Sequence, residues 1–166
     1  AHLLWHADRD LNGVGAVVLP GGFAHGDYLR TGALARFSPM MESVADFAHE
    51  GGPVVGICNG FQILTEAGLL PGALQKNAGL KFICSTMELE VASTNSVLTS
   101  QATTGAILRI PVNHFEGNYV CDAETLAILH DKDRVVLRYV DNPNGSMDSI
   151  AAICNEGRNV VGLMPH

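Results

Sequence analysis

One short segment of this chain combines the residue types and the spacing that covalent catalysis requires: Gly56-Ile57-Cys58-Asn59-Gly60. It follows an apolar run, 53–55, and leads directly into a helix-like stretch, 61–67. A buried strand that ends in Gly-x-Cys-x-Gly and opens into a helix has the form of a nucleophile elbow, with cysteine in the place more often held by serine. The helix macrodipole favours thiolate over thiol at such a position, so Cys58 is a candidate nucleophile.

A second interpretation of Cys58 is purely structural. Unpaired cysteines are among the most buried side chains, and a small apolar residue also suits a turn between strand and helix. The five-residue pattern alone does not separate the two interpretations. The choice depends on which other residues the fold brings to Cys58.

His166 is the candidate base. Its imidazole could take the thiol proton and later pass a proton to a leaving amine, which is the minimal chemistry of acyl transfer by a thiol. It follows an apolar run, 159–164, that is predicted to be a strand. Alone, a histidine at a strand end is more often a solvated or capping side chain.

The segment Pro20-Gly21-Gly22 offers a third element of the same chemistry. Glycine lets a backbone N–H approach a substrate oxygen closely, so the N–H groups of Gly22 and Asn59 could form an oxyanion hole. The alternative for Gly22 is an ordinary turn at a strand end. A phosphate-binding loop is disfavoured, because no Gly-Lys-Ser or Gly-Lys-Thr follows.

The hydrophobic pattern predicts an α/β fold that would position these residues. The first half alternates strand and helix, which indicates an open, mainly parallel sheet with helices on both faces, and the second half is more strand-rich. The predicted strands are 15–19, 54–57, 87–91, 106–112, 134–140, 149–154 and 159–164. The predicted helices are 31–49, 61–67 and 122–130. Turn-like residues at 155–158 predict a hairpin between the last two strands.

Three notable segments directly follow predicted strands, at 20–23, 58–62 and 164–166. Open parallel sheets bind ligands beyond the carboxyl ends of their strands. If the three strands are neighbours, the segments meet at one edge of the sheet. The fold is therefore expected to bring His166 to Cys58.

The composition predicts a single domain, residues 1–166, that can bury a substantial core. Hydrophobic residues make up 47% and charged residues 16% of the chain. The net charge of −7 and the absence of a basic run argue against nucleic acid and anionic membranes as partners, and favour small molecules or proteins. No apolar run approaches the ~20 residues of a membrane span.

The four cysteines lie far apart and form no Cys-x-x-Cys pair. A chain with this much core does not require disulfides, so the cysteines are interpreted as reduced thiols of a cytoplasmic protein. His2 and His6 are four residues apart, but a solvated pair explains them better than a metal site does. No metal is predicted.

Five longer motifs carry a family resemblance. They are VVLPGGFAHGDYLR at 17–30, GICNGFQIL at 56–64, PVNHFEGNY at 111–119, NPNGS at 142–146 and MPH at 164–166. Together they closely resemble the glutaminase subunit of phosphoribosylformylglycinamidine synthase, from about Trp5 to the last residue. The elbow alone would indicate only a triad-type, class I glutamine amidotransferase. The resemblance implies the flavodoxin-like fold of that class.

The resemblance also implies a specific activity. The family hydrolyses glutamine through a cysteinyl thioester and passes ammonia through a tunnel to a synthetase subunit, which uses ATP to convert formylglycinamide ribonucleotide to the amidine. No cofactor is implied for the glutaminase subunit, since ATP and Mg²⁺ are expected on the synthetase. The implied partners are glutamine, the synthetase and a small accessory subunit, with no nucleic acid and no membrane.

The roles of individual residues carry over from the resemblance by position. It implies that Cys58 is the nucleophile and His166 the general base. Gly22 and Asn59 match the oxyanion donors. The residues that match substrate-binding positions are Gln62, Asn113 and His114.

Three residues keep two interpretations each. Gln62 matches a residue that touches the substrate, but on the pattern alone it is a polar residue on a helix surface. For Asp27 and Arg30, one interpretation is that they order a loop or contact a partner. The other is that they are solvated charges on a loop.

The sequence departs from the family pattern in three places. Family members have a carboxylate two residues after the histidine, which orients the imidazole, and this chain stops at His166. In a serine triad, replacing the acid by its amide costs about ten-thousandfold in rate.

The family begins with an additional strand and helix, whose absence would leave unpaired strand edges and a slot in the core. Phe115 stands where relatives often have glycine. The expectation is a domain that lacks the family's first strand and helix and its C-terminal end.

Three functions remain open at the level of the sequence. The first is a glutaminase, which the complete elbow, Gln62 and His166 favour, because a non-catalytic domain needs no reactive thiol. The second is a non-catalytic, glutaminase-like domain that binds a synthetase, which the expected truncation at both ends favours. The third is a cysteine hydrolase of the related intracellular-protease group, which the residues Gly-Phe-Gln-Ile-Leu at 60–64 disfavour.

Overall fold

Nine β-strands and three α-helices form the fold of the computed structural model, which describes residues 1–166. The strands are β1 Val17–Leu19, β2 Val54–Ile57, β3 Ala73–Gln75, β4 Ile83–Val91, β5 Ile107–His114, β6 Asn118–Val120, β7 Val135–Tyr139, β8 Ile150–Cys154 and β9 Val160–Leu163. The helices are α1 Pro39–His49, α2 Asn59–Glu66 and α3 Ala123–Asp131. Every predicted strand and helix has a counterpart, whereas β3 and β6 were not predicted.

Seven strands form one mixed sheet in the order β1-β2-β9-β8-β7-β4-β5. Only β1, β2 and β9 pair in parallel, and every pairing from β9 to β5 is antiparallel. The α/β class is confirmed, but the prediction of a mainly parallel sheet is only partly confirmed, because the parallel pairing is limited to β1, β2 and β9. Parallel neighbours require a long crossover such as α1, whereas the short turn between β8 and β9 reverses the chain. The predicted hairpin of these last two strands is confirmed.

The three helices pack on one face of the sheet. Buried side chains of α1, α2 and α3 belong to one hydrophobic cluster, which also includes the strand residues Val54 and Val160. The buried members of a second cluster, such as Leu89, Val136 and Val161, all come from strands. The prediction of helices on both faces is therefore wrong. On the second face, the buried side chains all come from strands of the sheet itself.

α1 is shorter than the predicted helix. It begins at Pro39, which suits the first helical position because it has no backbone N–H to leave unpaired. The residues before it contain only a 3-10 turn, Ala35–Phe37. α1 buries one face, which consists of Met40, Met41, Val44 and Ala48.

β1 is an edge strand that pairs only with β2. An apolar cavity of about 960 Å³ lies beside it, lined by residues 1–6, β1, part of α1 and other residues between them. The side chains of Leu3 and Trp5 are exposed. The unpaired backbone groups of β1 leave this side of the sheet open to a further strand.

β3 and β6 form a separate antiparallel ribbon in which Ala73 faces Val120. Tyr119 anchors it, since its buried hydroxyl donates to the carbonyl oxygen of Pro71 at 3.0 Å. Its backbone nitrogen donates to the hydroxyl of Ser146 at 3.0 Å. The ribbon fixes the chain directly after residues 115–117, which lie at the candidate site.

Candidate active site

Cys58 lies between β2 and α2 in a strained backbone conformation. Its φ is 52° and its ψ is −106°, a combination that residues other than glycine rarely adopt. Such strain persists where the surrounding structure enforces it, and it is concentrated at functional sites. The backbone nitrogen of Cys58 donates to the carbonyl oxygen of Leu163 in β9 at 2.8 Å. The predicted elbow is therefore present, with Cys58 at the N-cap of α2.

The two glycines of the elbow allow β1, β2 and α2 to approach closely. A methyl group on Gly60 would lie 2.1 Å from the carbonyl oxygen of Leu19, and one on Gly56 would lie 2.6 Å from the carbonyl oxygen of Gly60. No side chain fits at either distance, so the spacing of the motif has a packing reason as well as a chemical one.

The structure brings His166 and Cys58 to the same place beside Gly21. A methyl group on Gly21 would lie 3.5 Å from Cβ of Cys58 and 3.6 Å from both Cε1 and Nε2 of His166. The backbone nitrogen of His166 donates to the carbonyl oxygen of Pro111 at 2.9 Å, which ties this end of the chain to β5. The carboxyl ends of β1, β2 and β9 thus converge as predicted, because these three strands are parallel neighbours.

A cleft of about 500 Å³ opens at this meeting point, a size that suits a small-molecule ligand. It is lined by Gly22, Phe23, Gly26, Asp27, Thr31, Cys58, Gln62, Phe82, Asn113, His114, Phe115, Glu116 and His166. Six of the seven predicted site residues lie on this wall, and the seventh, Asn59, is buried directly behind Cys58.

The two predicted oxyanion donors lie on the two segments that meet at Cys58. Gly22 has a φ of 144°, which glycine adopts readily and other residues do not. No atom lies within 4 Å of the position that a side chain on Gly22 would take, so glycine is required there for its conformation and not for space. The backbone N–H of Asn59 lies near enough to the sulfur of Cys58 to lower the pKa of its thiol.

Burial raises the pKa of the Cys58 thiol above its ordinary value. The backbone N–H of Asn59 lowers this pKa, and the negative charge of Asp27 raises it. The expected preference for thiolate at the helix N-terminus is therefore opposed by desolvation, which is the largest effect. A neutral thiol of this kind needs a neighbouring base to become a nucleophile.

The side chain of Asn59 links three parts of the site. Its oxygen accepts a hydrogen bond from the backbone nitrogen of Ala24 at 3.1 Å, and its nitrogen donates to Asp27 at 3.0 Å and to Gln62 at 2.9 Å. Gln62 in turn donates to the carbonyl oxygen of Glu116 at 2.6 Å. The first turn of α2 thus connects the loop after β1 to the loop after β5.

His114 is buried beneath the cleft beside Asn77. The amide nitrogen of Asn77 donates to the carbonyl oxygens of Lys81 and His114, so its oxygen faces Nδ1 of the His114 ring at 3.2 Å. Nδ1 must then carry the proton, which leaves Nε2 as an acceptor. Burial, followed by the charge of His166, lowers the pKa of His114 from 6.5 to about 4, so the ring is neutral at pH 7. Asn113, the preceding residue, is exposed on the cleft wall.

The motif at 142–146 supports the site from behind. Asn144 is fully buried and donates to the carbonyl oxygen of Gly117 at 2.8 Å. The hydroxyl of Ser146 donates to the same oxygen at 3.2 Å. These bonds fix the end of the loop that carries Phe115 and Glu116.

Arg30 orders the loop after β1 against α2. Its guanidinium group donates to both carboxylate oxygens of Glu66, at 2.5 and 2.7 Å. Asp27, by contrast, lies on the cleft wall beside Glu116. Asp27 and Arg30, which each had two interpretations from the sequence, therefore have different surroundings in the structure.

Several cleft residues were not predicted, namely Asp27, Thr31, Phe82 and Glu116 as wall residues and Asn77 as the partner of His114. Asp27 and Glu116 lie within the longer motifs, so their position in those segments was the available signal. Thr31, Phe82 and Asn77 belong to loops, and no local pattern indicates where a loop residue will point.

Acidic, histidine and cysteine side chains do not gather in groups of three or more that could bind a metal ion. None of the helices has the length and apolar content that a bilayer crossing requires.

Sequence comparisons identify close relatives across nearly the whole chain. A family model described as a CobB/CobQ-like glutamine amidotransferase domain matches residues 2–166. The phosphoribosylformylglycinamidine synthase subunit PurQ of Koribacter versatilis is 57% identical over an alignment of 172 residues. The alignment covers 98% of this chain and 74% of the relative. The same subunit of Rubrobacter xylanophilus is 58% identical over 163 residues, again covering 98% of this chain and 74% of the relative.

Solved structures give the same result. The structure of PurLQS from Thermotoga maritima matches with a TM-score of 0.87 and 44% sequence identity, over 96% of this chain and 71% of that chain. A glutamine amidotransferase from Thermotoga maritima matches with a TM-score of 0.61 over 96% of this chain and 58% of that chain. At 19% identity, this second match shows the shared fold alone.

Proposed function

Because this chain belongs to the CobB/CobQ-like glutamine amidotransferase family, and within it to the PurQ subunits, we propose that it hydrolyses glutamine and delivers the ammonia to a synthetase subunit. The product of that synthetase is formylglycinamidine ribonucleotide, an intermediate of de novo purine biosynthesis. The observation that carries the proposal is the approach of Cys58 and His166 to the same point beside Gly21, at the base of a cleft of about 500 Å³.

The first half of the reaction acylates Cys58. His166 accepts the thiol proton as the sulfur attacks the side-chain amide carbon of glutamine. Negative charge develops on the amide oxygen, where the N–H groups of Gly22 and Asn59 stabilise it. The tetrahedral intermediate then breaks its C–N bond, and the proton on His166 passes to the leaving ammonia. The product is a γ-glutamyl thioester on Cys58.

The second half releases glutamate. His166 takes a proton from a water molecule, which attacks the thioester carbon. The same two N–H groups stabilise the second tetrahedral intermediate. The carbon–sulfur bond then breaks, glutamate leaves, and the proton on His166 returns to the sulfur. Each turnover consumes glutamine and water, produces glutamate and ammonia, and regenerates the thiol.

Gln62, Asn113 and His114 are proposed to bind the substrate. Gln62 lines the cleft, and after its bonds to Asn59 and Glu116 it retains one amide N–H for a ligand. Asn113 presents an exposed amide at the cleft wall, and Nε2 of His114 is an acceptor with no partner. These groups could orient the amino-acid end of glutamine while its amide end lies at Cys58.

The proposed partners follow from the relatives. The structure from Thermotoga maritima is a PurLQS assembly, so a synthetase subunit and a small accessory subunit are proposed for this chain. ATP and Mg²⁺ are proposed to bind the synthetase, with no cofactor in this subunit.

The proposed location is the cytoplasm, and residues 1–166 are proposed to act as one domain. A flavodoxin-like arrangement is proposed for its parallel part, β1, β2 and β9.

A glutamine analogue that carries a diazo-ketone tests the nucleophile in the complex with the synthetase. We expect one adduct, on Cys58, and none on the other three cysteines, as determined by peptide mass mapping. Cys58→Ala should abolish glutamine-dependent synthesis and preserve synthesis from added ammonia. Ammonia-dependent synthesis is the internal control for folding and assembly, so loss of both activities together would show that Cys58 is structural.

A further inference from the structure

Tyr139 ends β7 at the edge of the sheet that carries the candidate active site. β7 pairs antiparallel with β8, and β8 pairs antiparallel with β9, so β7 runs in the same direction as β9 and β2. The carboxyl ends of these three strands therefore share the edge where Cys58 and His166 meet. Tyr139 and Leu163 belong to one buried cluster, and Ile57, the residue before Cys58, packs against it. Tyr139 thus packs behind the elbow and is not among the residues that line the cleft.

The hydroxyl of Tyr139 has no hydrogen-bond partner, although the residue is only 2% exposed. A buried hydroxyl without a partner is unusual and costly. Asn144 lies beside this hydroxyl, but its amide is already committed. The amide nitrogen of Asn144 donates to Gly117, and the amide oxygen accepts from both the backbone nitrogen and the hydroxyl of Ser146. The proton of the Tyr139 hydroxyl therefore finds no free acceptor on Asn144.

Tyr139 and Cys58 are close enough for a charge on one to affect the other. Burial raises the pKa of Tyr139 above its ordinary value, Asn144 lowers it, and negative charge on Cys58 raises it further. Cys58 is the only charged group among these three influences. A tyrosine with a raised pKa keeps its proton over the whole range in which a thiol titrates. Tyr139 is therefore a neutral donor, fixed by packing behind the elbow.

The surroundings of Cys58 oppose formation of its thiolate. Burial raises the pKa of the thiol, the backbone N–H of Asn59 lowers it, and the charge of Asp27 raises it again. A donor that packing holds in place stabilises such a charge without having to reorganise, and the effect is strong where water is excluded. The titratable side chains around the thiol are Asp27, Glu116, His114 and His166 on the cleft wall and Tyr139 behind the elbow.

We propose that Tyr139 is a positioning residue of the active site, whose hydroxyl turns its proton toward Cys58 when the thiolate forms and stabilises that charge from behind the cleft. The hydroxyl then gains an interaction that it lacks beside the neutral thiol. A group that is costly in the folded protein thereby favours the nucleophilic form of Cys58. This inference rests on the proposed role of Cys58 as the nucleophile.

The test measures the thiol pKa of Cys58 in the complex of this chain with its synthetase. The rate of alkylation by iodoacetamide is followed at Cys58 by peptide mass mapping as a function of pH. Tyr139→Phe removes only the hydroxyl group and should raise the thiol pKa by about one unit. The pH at which kcat/KM for glutamine reaches half of its maximum should rise with it.

Tyr119→Phe is the matched control, because it makes the same change in a second buried tyrosine. The hydroxyl of Tyr119 donates to the carbonyl oxygen of Pro71, and Cys58 is not among the groups that affect it. This variant should lower the midpoint of urea denaturation, because it breaks that hydrogen bond, and should leave the pH profile of Cys58 alkylation unchanged. Tyr139→Phe should not lower the midpoint, since the hydroxyl that it removes has no partner.

An unchanged or lowered thiol pKa in Tyr139→Phe would overturn the inference. Equal shifts in the two tyrosine variants would also overturn it, because a general loosening of the fold does not distinguish them. Alkylation requires no turnover, so it separates this inference from the proposed reaction. A thiol pKa that rises in Tyr139→Phe alone supports the role of the hydroxyl even if glutamine hydrolysis is absent.

Discussion

The backbone nitrogen of Cys58 donates to the carbonyl oxygen of Leu163 at 2.8 Å. This bond continues the parallel pairing of β2 with β9, in which Ile57 faces Leu163. Leu163 shortly precedes His166, so the register of two neighbouring strands determines how the thiol and the imidazole meet. A slip of one residue would reverse every side chain of β9 and separate them.

The close approach of Gly60 to Leu19 predicts that Gly60→Ala is destabilising. The added methyl group would lie 2.1 Å from a carbonyl oxygen, so α2 or β1 must move. We expect a loss of about 1–3 kcal/mol in the free energy of unfolding, measured by urea denaturation. Gly79→Ala is the matched control, because nothing lies within 4 Å of its added methyl group and its φ is not positive. Equal stability of the two variants would contradict the packing role of Gly60.

The buried His114 predicts that stability falls in mild acid. The unfolded chain binds a proton at this residue near pH 6.5, whereas the folded protein does so only near pH 4. Acidification from pH 6.5 to pH 4 therefore favours the unfolded chain, by up to about 3 kcal/mol from this residue. Urea denaturation across this range should show the loss, and His114→Gln should reduce the slope. His2→Gln, at an exposed position, should keep the wild-type slope; a His114→Gln slope that matches it would refute the assignment.

The negative charge of Asp27 near Cys58 predicts the direction of a shift in thiol reactivity. A like charge disfavours the thiolate, so Asp27→Asn should lower the pKa of Cys58. The rate of alkylation by iodoacetamide, measured at Cys58 by peptide mass mapping, should rise at lower pH in this variant than in the wild-type protein. Cys84 is exposed and serves as the internal reference in the same sample. An unchanged Cys58 profile would show that the two charges do not interact.

The three hydrogen bonds of the Asn59 side chain predict that Asn59→Ala separates positioning from oxyanion binding. The variant retains the backbone N–H but leaves Gln62 and the backbone nitrogen of Ala24 without their partner. We expect a stability loss of about 1–3 kcal/mol. We also expect KM for glutamine to rise, because the two loops of the cleft lose their common attachment. Asn95→Ala, in an exposed loop, should change neither quantity, and an unchanged KM in Asn59→Ala would show that the network does not position the substrate.

The sequence was sufficient to predict the meeting of Cys58 and His166, and the reason is general. Motifs that follow parallel strands share an edge of the sheet, so identifying the strands also identifies where their ends meet. Here β1, β2 and β9 are adjacent and parallel, and the argument applied.

The remainder of the fold was harder to predict from the sequence, because no single strand encodes the order of the strands in the sheet. Strand-like patterns are compatible with both parallel and antiparallel pairing, as in β4, β5, β7 and β8. The antiparallel pairing of these strands depends on long-range packing. The direction of the pKa shift at Cys58 was missed for a related reason. The motif specifies a helix N-terminus, whereas burial depends on segments far away in the sequence.

β9 has one more consequence, which concerns synthesis on the ribosome. It follows the other eight strands of this structure in the sequence, yet it lies between β2 and β8 inside the sheet. A nascent polypeptide that has emerged only as far as α3 contains the elbow but lacks the imidazole that activates it. A polypeptide that lacks β9 therefore has the thiol but not the base that the proposed reaction requires.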